Sequence, residues 1–154
     1  MISIEFTIPG IPCAKAKKLG TRNGHATAYN DKKTDNFQAL VTMAASRVHI
    51  GRSDQHKPLD TALVLRVDAI YPRLTCMSNR NKRTGALLGG WSEGRIPKDT
   101  KPDFDNLAKS ICDGISASGL WTDDARVFDG RVRKFYAAIG EAPHVEVTIR
   151  EYAE

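Results

Sequence analysis

Apolar and polar residues first alternate over residues 2–8, ISIEFTI, a β-branched run of period two that predicts a strand closed by the prolines at 9 and 12. The next periodic segment has helical spacing. Phe37, Leu40, Val41, Ala44 and Val48 recur on one face of a 3.6-residue period, which predicts a helix over about 35–49, with Asp35 and Gln38 as a capping pair at its start. Residues 61–71, TALVLRVDAIY, return to strand, with Ala62 and Val64 opening the alternation. Phe104, Leu107, Ala108, Ile111 and Ile115 mark a second helix over about 104–116, and Gly119 closes the turn after it. Strands near 126–139 and 143–152 complete the chain, the second, HVEVTIREY, alternating cleanly. The order β-α-β-α-β-β predicts an α+β fold, a mixed sheet with both helices packed on one face. No repeat or linker divides the chain, so residues 1–154 are expected to form one domain.

Two segments between these elements carry no long period. The stretch from Lys15 to Lys33 is turn-rich and holds six Lys or Arg against one acid, Asp31. The stretch from Pro72 to Lys101 reads as a loop with seven basic residues and two acids. A loop this long inside a compact domain is uncommon and is generally functional or mobile.

Composition removes several classes. No apolar run reaches the roughly 18 residues a spanning helix needs, so no membrane role is expected. MISIEFTIPGIP has neither the basic nor the apolar region of a signal peptide. Cys13, Cys76 and Cys112 are scattered and form no CxxC pair, which argues against a disulfide framework or zinc site and for a reducing, cytoplasmic setting. No histidine pair has HxxxH spacing, and no glycine-rich phosphate loop is present, so no nucleotide cofactor is expected. The formal charge of +5 suits a polyanionic partner without naming one.

That average hides a local reversal. Asp103, Asp105, Asp113, Asp123, Asp124 and Asp129 place six of the eighteen acids within residues 103–129, opposed there only by Lys109 and Arg126. In Lys101-Pro102-Asp103-Phe104-Asp105-Asn106 the chain enters a helix. An extended entry would project Asp103 and Asp105 to one side and send Phe104 into the core. Two such carboxylates repel unless a cation lies between them, and Mg²⁺ takes oxygen ligands of this kind together with waters and phosphate oxygens. Lys109 and Asp113 follow Asp105 at four-residue steps along the polar flank of the helix. Leu120-Trp121-Thr122-Asp123-Asp124 is a turn with a second acidic pair, which Leu120 and Trp121 can anchor so that one carboxylate faces the first pair. Each feature alone has an ordinary reading: a helix N-cap, a solvated turn, an i,i+4 ion pair. Asp113 and Asp129 are left with ion-pair roles. The combination of spaced acid pairs, a lysine one turn on and basic loops around them is what points to a metal site handling phosphate.

KPDFDNLAKSICDGI and GLWTDDARV resemble the RusA family of Holliday junction resolvases, typically carried by phages and prophages, in the pattern D-x-D-N-L-x-K followed by D-D-x-x-V. FTIPGIPCAKAKK is similar to that family's first strand, proline turn and lysine-rich segment, so the resemblance spans nearly the whole chain. It implies that Asp103, Asp105 and Asp124 bind metal, with Asp123 a helper and Lys109 the essential lysine. It also implies a homodimer requiring Mg²⁺ or Mn²⁺ that nicks four-way junction DNA symmetrically in recombination and repair. The 72–101 loop is longer than in compact members, and Arg126 stands where some have glutamine. Basic side chains such as Lys15, Lys17, Lys18 and Arg22 would grip phosphates without reading bases. Two rival readings use the same residues: a catalytically weak branched-DNA-binding protein, and a metal-dependent nuclease acting on flaps or RNA.

Overall fold

The first strand, β1 (Ser3–Pro9), buries Ile4 and Ile8, half-buries Phe6 between them on the same face, and exposes Glu5 and Thr7, as its period requires. In the computed structural model, which describes residues 2–52 and 57–152 and only the backbone of Arg22, β1 pairs antiparallel with the last strand, β7 (His144–Glu151). Five strands form the main sheet in the order β1-β7-β4-β6-β5, with β4 at Leu63–Tyr71, β5 at Ile96–Pro97 and β6 at Val127–Tyr136. The β4–β6 pairing is parallel and the others are antiparallel, so the sheet is mixed as expected. Register aligns Ile4, Ile149 and Leu65 across three strands, and Val147 with Val67. These side chains lie on one face and are buried. The inward phase of β4 begins at Leu63, while Ala62 is exposed and Val64 half-buried.

Both helices cover that same face. Phe37, Val41 and Ala45 of α1 (Lys32–Gly51) and Leu107, Ile111 and Ile115 of α2 (Phe104–Ser118) are buried in one cluster with the sheet residues. Each fully buried Ile or Leu contributes roughly 2 kcal/mol of transfer free energy. The helices cross at Gly114, where an added Cβ would fall 2.6 Å from Val41 Cβ and 3.0 Å from the Gln38 carbonyl oxygen. No larger residue fits this approach. Gly119 ends α2 with φ 73°, a left-handed cap.

Three local expectations are corrected. Helix α1 starts at Lys32 behind Asp31, so Asp35 lies within its first turn, and the Gln38 amide donates to Asp113 instead of capping. The basic stretch contains a hairpin, β2 (Lys17–Arg22) paired with β3 (His25–Asn30), which forms a separate two-stranded sheet. Its turn is Asn23-Gly24, both with positive φ (51° and 79°), the geometry of a two-residue hairpin loop. The third concerns Phe104, treated below. The 72–101 loop lacks a period because it is organised around one side chain. The Arg73 guanidinium donates to the carbonyls of Met77, Ser92, Gly94 and Ala137. Among the described residues, no helix is long and apolar enough to cross a membrane.

Candidate active site

Asp103 stands one residue before α2 with extended backbone, and its carbonyl accepts the Leu107 N–H at 3.2 Å. Its carboxylate does not cap the helix, and among the described residues it has no hydrogen-bond or ion-pair partner. Asp105 already lies in the first turn. The segment is therefore not extended through Asp105, and the period-two expectation fails: Phe104 is helical and 64% exposed instead of buried. Asp103 thus belongs to the extended entry and Asp105 to the first turn of the helix. The approach to the acids is braced from below. Lys134 Nζ donates to the carbonyls of Thr100 and Pro102, both at 2.7 Å, just ahead of Asp103. Lys98 Nζ donates to Thr100 Oγ1 at 2.6 Å and sits 4.8 Å over the Tyr136 ring. The Thr100 hydroxyl and then the Lys98 ammonium hold the Tyr136 phenol below its ordinary value.

The second acidic turn is anchored as its apolar residues suggest. Leu120 and Trp121 are buried, and the Trp121 indole N–H donates to Ser116 Oγ at 2.8 Å. The Leu59 N–H donates to the Leu120 carbonyl at 2.9 Å, and the Thr122 N–H to the Leu59 carbonyl at 3.0 Å. Asp123 uses its carboxylate locally, accepting the Ala125 N–H at 2.7 Å. Asp124 begins the 3-10 turn Asp124–Arg126 and is exposed; its carbonyl accepts the Val127 N–H, while its carboxylate has no hydrogen bond or ion pair among the described residues. Burial, then Asp124, then Asp113, push the Cys112 thiol up to about 11, which sets Asp124 near α2 at Cys112. Asp105, Lys109 and Cys112 fall at i, i+4 and i+7 on one helix flank, and the turn that carries Asp124 packs against α2.

Lys109 Nζ lies 4.0 Å from Asp105 Oδ2. The Lys15 N–H donates to the Asn106 carbonyl at 3.0 Å, and Lys15, Lys17, Asn106 and Lys109 line one surface hollow. The first basic segment is thereby brought against the acid-bearing helix. Its lysines differ in engagement. Lys15 pairs with Asp113 and Lys18 with Asp31 at 3.0 Å, while Lys17 has no ion pair among the described residues. The side chain of Arg22 lies outside the description. Asp113 and Asp129 keep structural roles, Asp129 in a two-pronged pair with Arg66 at 2.7 and 2.9 Å. Lys98 and Lys134 carried no signal of their own in the sequence; Lys134 acts through the Thr100 and Pro102 carbonyls and Lys98 through the Thr100 hydroxyl.

Asp103, Asp105 and Asp124 do not converge tightly. Among the described residues, the three-residue set whose ligand atoms lie within 4.8 Å of one another is Glu141, His144 and Glu146. A guanidinium occupies that set. Arg95 donates to Glu141 Oε1 at 2.6 and 2.9 Å and to both Glu146 oxygens at 2.7 and 3.1 Å. It holds the Glu146 carboxyl down to about 2. With every oxygen of this set engaged, it serves as a structural ion-pair network.

Comparison with known proteins completes the picture. The model of the family described as endodeoxyribonuclease RusA matches residues 9–150. The chain belongs to this family. Membership implies endodeoxyribonuclease activity. A protein of Bacillus subtilis strain 168, uncharacterized protein YqaN, is 32% identical over 155 residues, covering 98% of each chain. The crossover junction endodeoxyribonucleases RusA of Escherichia coli K12 and of Enterobacteria phage 82 are each 37% identical over 59 residues, 38% of this chain and 48% of theirs.

Proposed function

We propose that this chain is a metal-dependent, structure-specific endodeoxyribonuclease that resolves four-way DNA junctions by paired symmetrical nicks. In this reading it works as a homodimer in a bacterial cytoplasm. The observation that carries the reading is the pair of unengaged carboxylates, Asp103 at the start of α2 and Asp124 on the turn packed against α2, within a RusA-family chain. The donor set fits a hard divalent cation such as Mg²⁺, with Mn²⁺ as substitute: all its donors are oxygens, and the carboxylates are exposed. Asp103, Asp105 and Asp124 would hold it, with Asp123 beside them. The cation would supply positive charge against the scissile phosphate and an activated water.

The chain's own groups do the rest. Lys109, two-thirds exposed and only loosely tied to Asp105, is placed to neutralise charge developing on the phosphoryl group. Lys17 faces the same hollow without a competing acid and is suited to a flanking phosphate. Lys15 and Lys18 order the segment through their pairs with Asp113 and Asp31. Two such sites related by a two-fold axis match a junction with two equivalent strands to cut.

The test is a nicking assay on a synthetic four-way junction with and without Mg²⁺, alongside a flap, a linear duplex and an RNA hairpin. Symmetrical nicks in the junction alone, dependent on the cation, are expected. Binding without nicking in either Mg²⁺ or Mn²⁺, or equal cleavage of flap and junction, overturns the reading.

A further inference from the structure

The β2–β3 hairpin stands outside the main sheet, and its exposed aromatic ring has no role in the site described above. Register places Lys18 opposite Tyr29, Gly20 opposite Thr27, and His25 further along, so these residues share one hairpin face. A Cβ built on Gly20 would fall 2.7 Å from Tyr29 Cε1, with ring atoms Cδ1 and Cζ at 3.6 and 3.7 Å. The Tyr29 ring therefore lies across the strand on the bare backbone of Gly20. Tyr29 is 54% exposed, and its neighbours in the hollow beside it are the small residues Gly20, Thr21, Thr27 and Ala28. Nothing on the described chain covers the outward side of the ring.

We propose that this ring is a stacking platform for an unpaired base of nucleic acid. The proposal rests on the nucleic-acid reading above and adds the place where a base that has left its duplex is received. Charge selects the occupant. Residues 15–33 carry six Lys or Arg against the single acid Asp31, and Lys18 already pairs with that acid. Such a surface attracts a polyanion and repels a second copy of itself. Geometry selects an unpaired base, because a base within a duplex has both faces stacked, whereas a splayed base stacks on an aromatic side chain. The hairpin is fixed at its root, where the Asp31 N–H donates to the Ala16 carbonyl at 3.0 Å and the Ala16 N–H to Thr34 Oγ1 at 3.2 Å. Lys15 and Lys17 at that root also line the hollow with Lys109, so one basic segment joins the hairpin to the acid-bearing helix.

The experiment uses the full chain with two probes, a four-way junction and a single-stranded oligonucleotide, each carrying 2-aminopurine, the junction at its branch nucleotide. The wild type is expected to change the fluorescence of both, and Tyr29→Phe to do the same, since stacking needs the ring and not the hydroxyl. Tyr29→Leu should lose the response and bind the single strand about tenfold more weakly. Gly20→Val, which leaves Tyr29 present but lifts its ring off the strand, should behave like Tyr29→Leu. An unchanged response in Tyr29→Leu, or none in the wild type, overturns the platform. So does a loss that tracks a fall in oligomeric state by light scattering, which would assign the ring to a second copy. Junction nicking is read in parallel to separate the two readings. A Tyr29-dependent response without nicking keeps the platform and defeats the junction reading; nicking with a Tyr29-independent response does the reverse.

Discussion

Glu141 and Glu146 share one guanidinium and engage every oxygen they have, whereas Asp103 and Asp124 have no partner among the described residues. Both groups lie in a basic chain with arginines and lysines to spare, so the difference is not one of supply. A carboxylate enclosed by donors is held in one place and gives nothing to a ligand. One left open beside other acids costs stability through repulsion, and such a cost is retained where activity needs the group. The largest effect expected from this contrast is on catalysis. Asp103→Asn and Asp124→Asn should each reduce junction nicking at least a hundredfold while leaving the melting temperature unchanged or slightly raised. Binding should survive or tighten, because a negative charge near phosphate is removed. A nicking assay and a thermal melt on the same samples check this, and a variant that melts early with proportionate loss of activity would erase the distinction between the two regions.

The Arg95 network should respond in the opposite sense. Arg95→Met leaves the Glu141 and Glu146 carboxylates without their shared cation. The arginine side chain is 31% exposed, between a surface pair and a buried one, so a loss of about 1–2 kcal/mol is expected. Nicking by the folded fraction should be unchanged, as read by activity at low temperature against denaturant melts. Acid titration sharpens the same point. Glu146 is held from 4.5 down to about 2, first by hydrogen bonds from Arg95, so its contribution is full above about 4.5 and is lost as pH falls toward 2. His144 carries the other sign. Burial alone would lower it, but the Ala142 carbonyl and then Glu146 outweigh burial and raise it, so its contribution is present below 6.5 and lost as pH rises through the raised value. The melting temperatures of wild type and Glu146→Gln should differ most between about pH 5 and 6 and converge toward pH 2. A constant offset across that range would show that Glu146 acts by packing alone.

These regions were unequally legible in the sequence. The alternation of LVLRVDAIY and HVEVTIRE and the spacing of Leu107, Ile111 and Ile115 carry their own burial, because one face of each element meets the core. The hairpin at 17–30 does not, because both its faces are exposed and no alternation is imposed; its readable signal is Asn23-Gly24, a turn pair that needs no core. Phe104 was misplaced because apolar spacing was extended one turn beyond the point at which α2 meets the sheet. The acids of the candidate site were visible because DFD and DD are local in the chain. The Arg95 network was not, since its partners are 46 and 51 residues away and only the β5–β6 pairing brings Arg95 beside them.

The smallest expected effect separates cations as the first separated anions. Lys15 and Lys18 are tied to Asp113 and Asp31, and Lys17 between them is free of any ion pair among the described residues. If free groups serve the substrate and tied groups serve the fold, Lys17→Ala should weaken junction binding modestly and uniformly across sequences. It should also lower the slope of log affinity against log salt by about one, with the melting temperature unchanged. Lys15→Ala should instead release Asp113 beside Cys112 and lower the melting temperature with a smaller change in slope. Filter binding at several salt concentrations, read beside thermal melts, measures both. Equal slopes for the two variants would mean that pairing with an acid does not decide which lysines reach the phosphates.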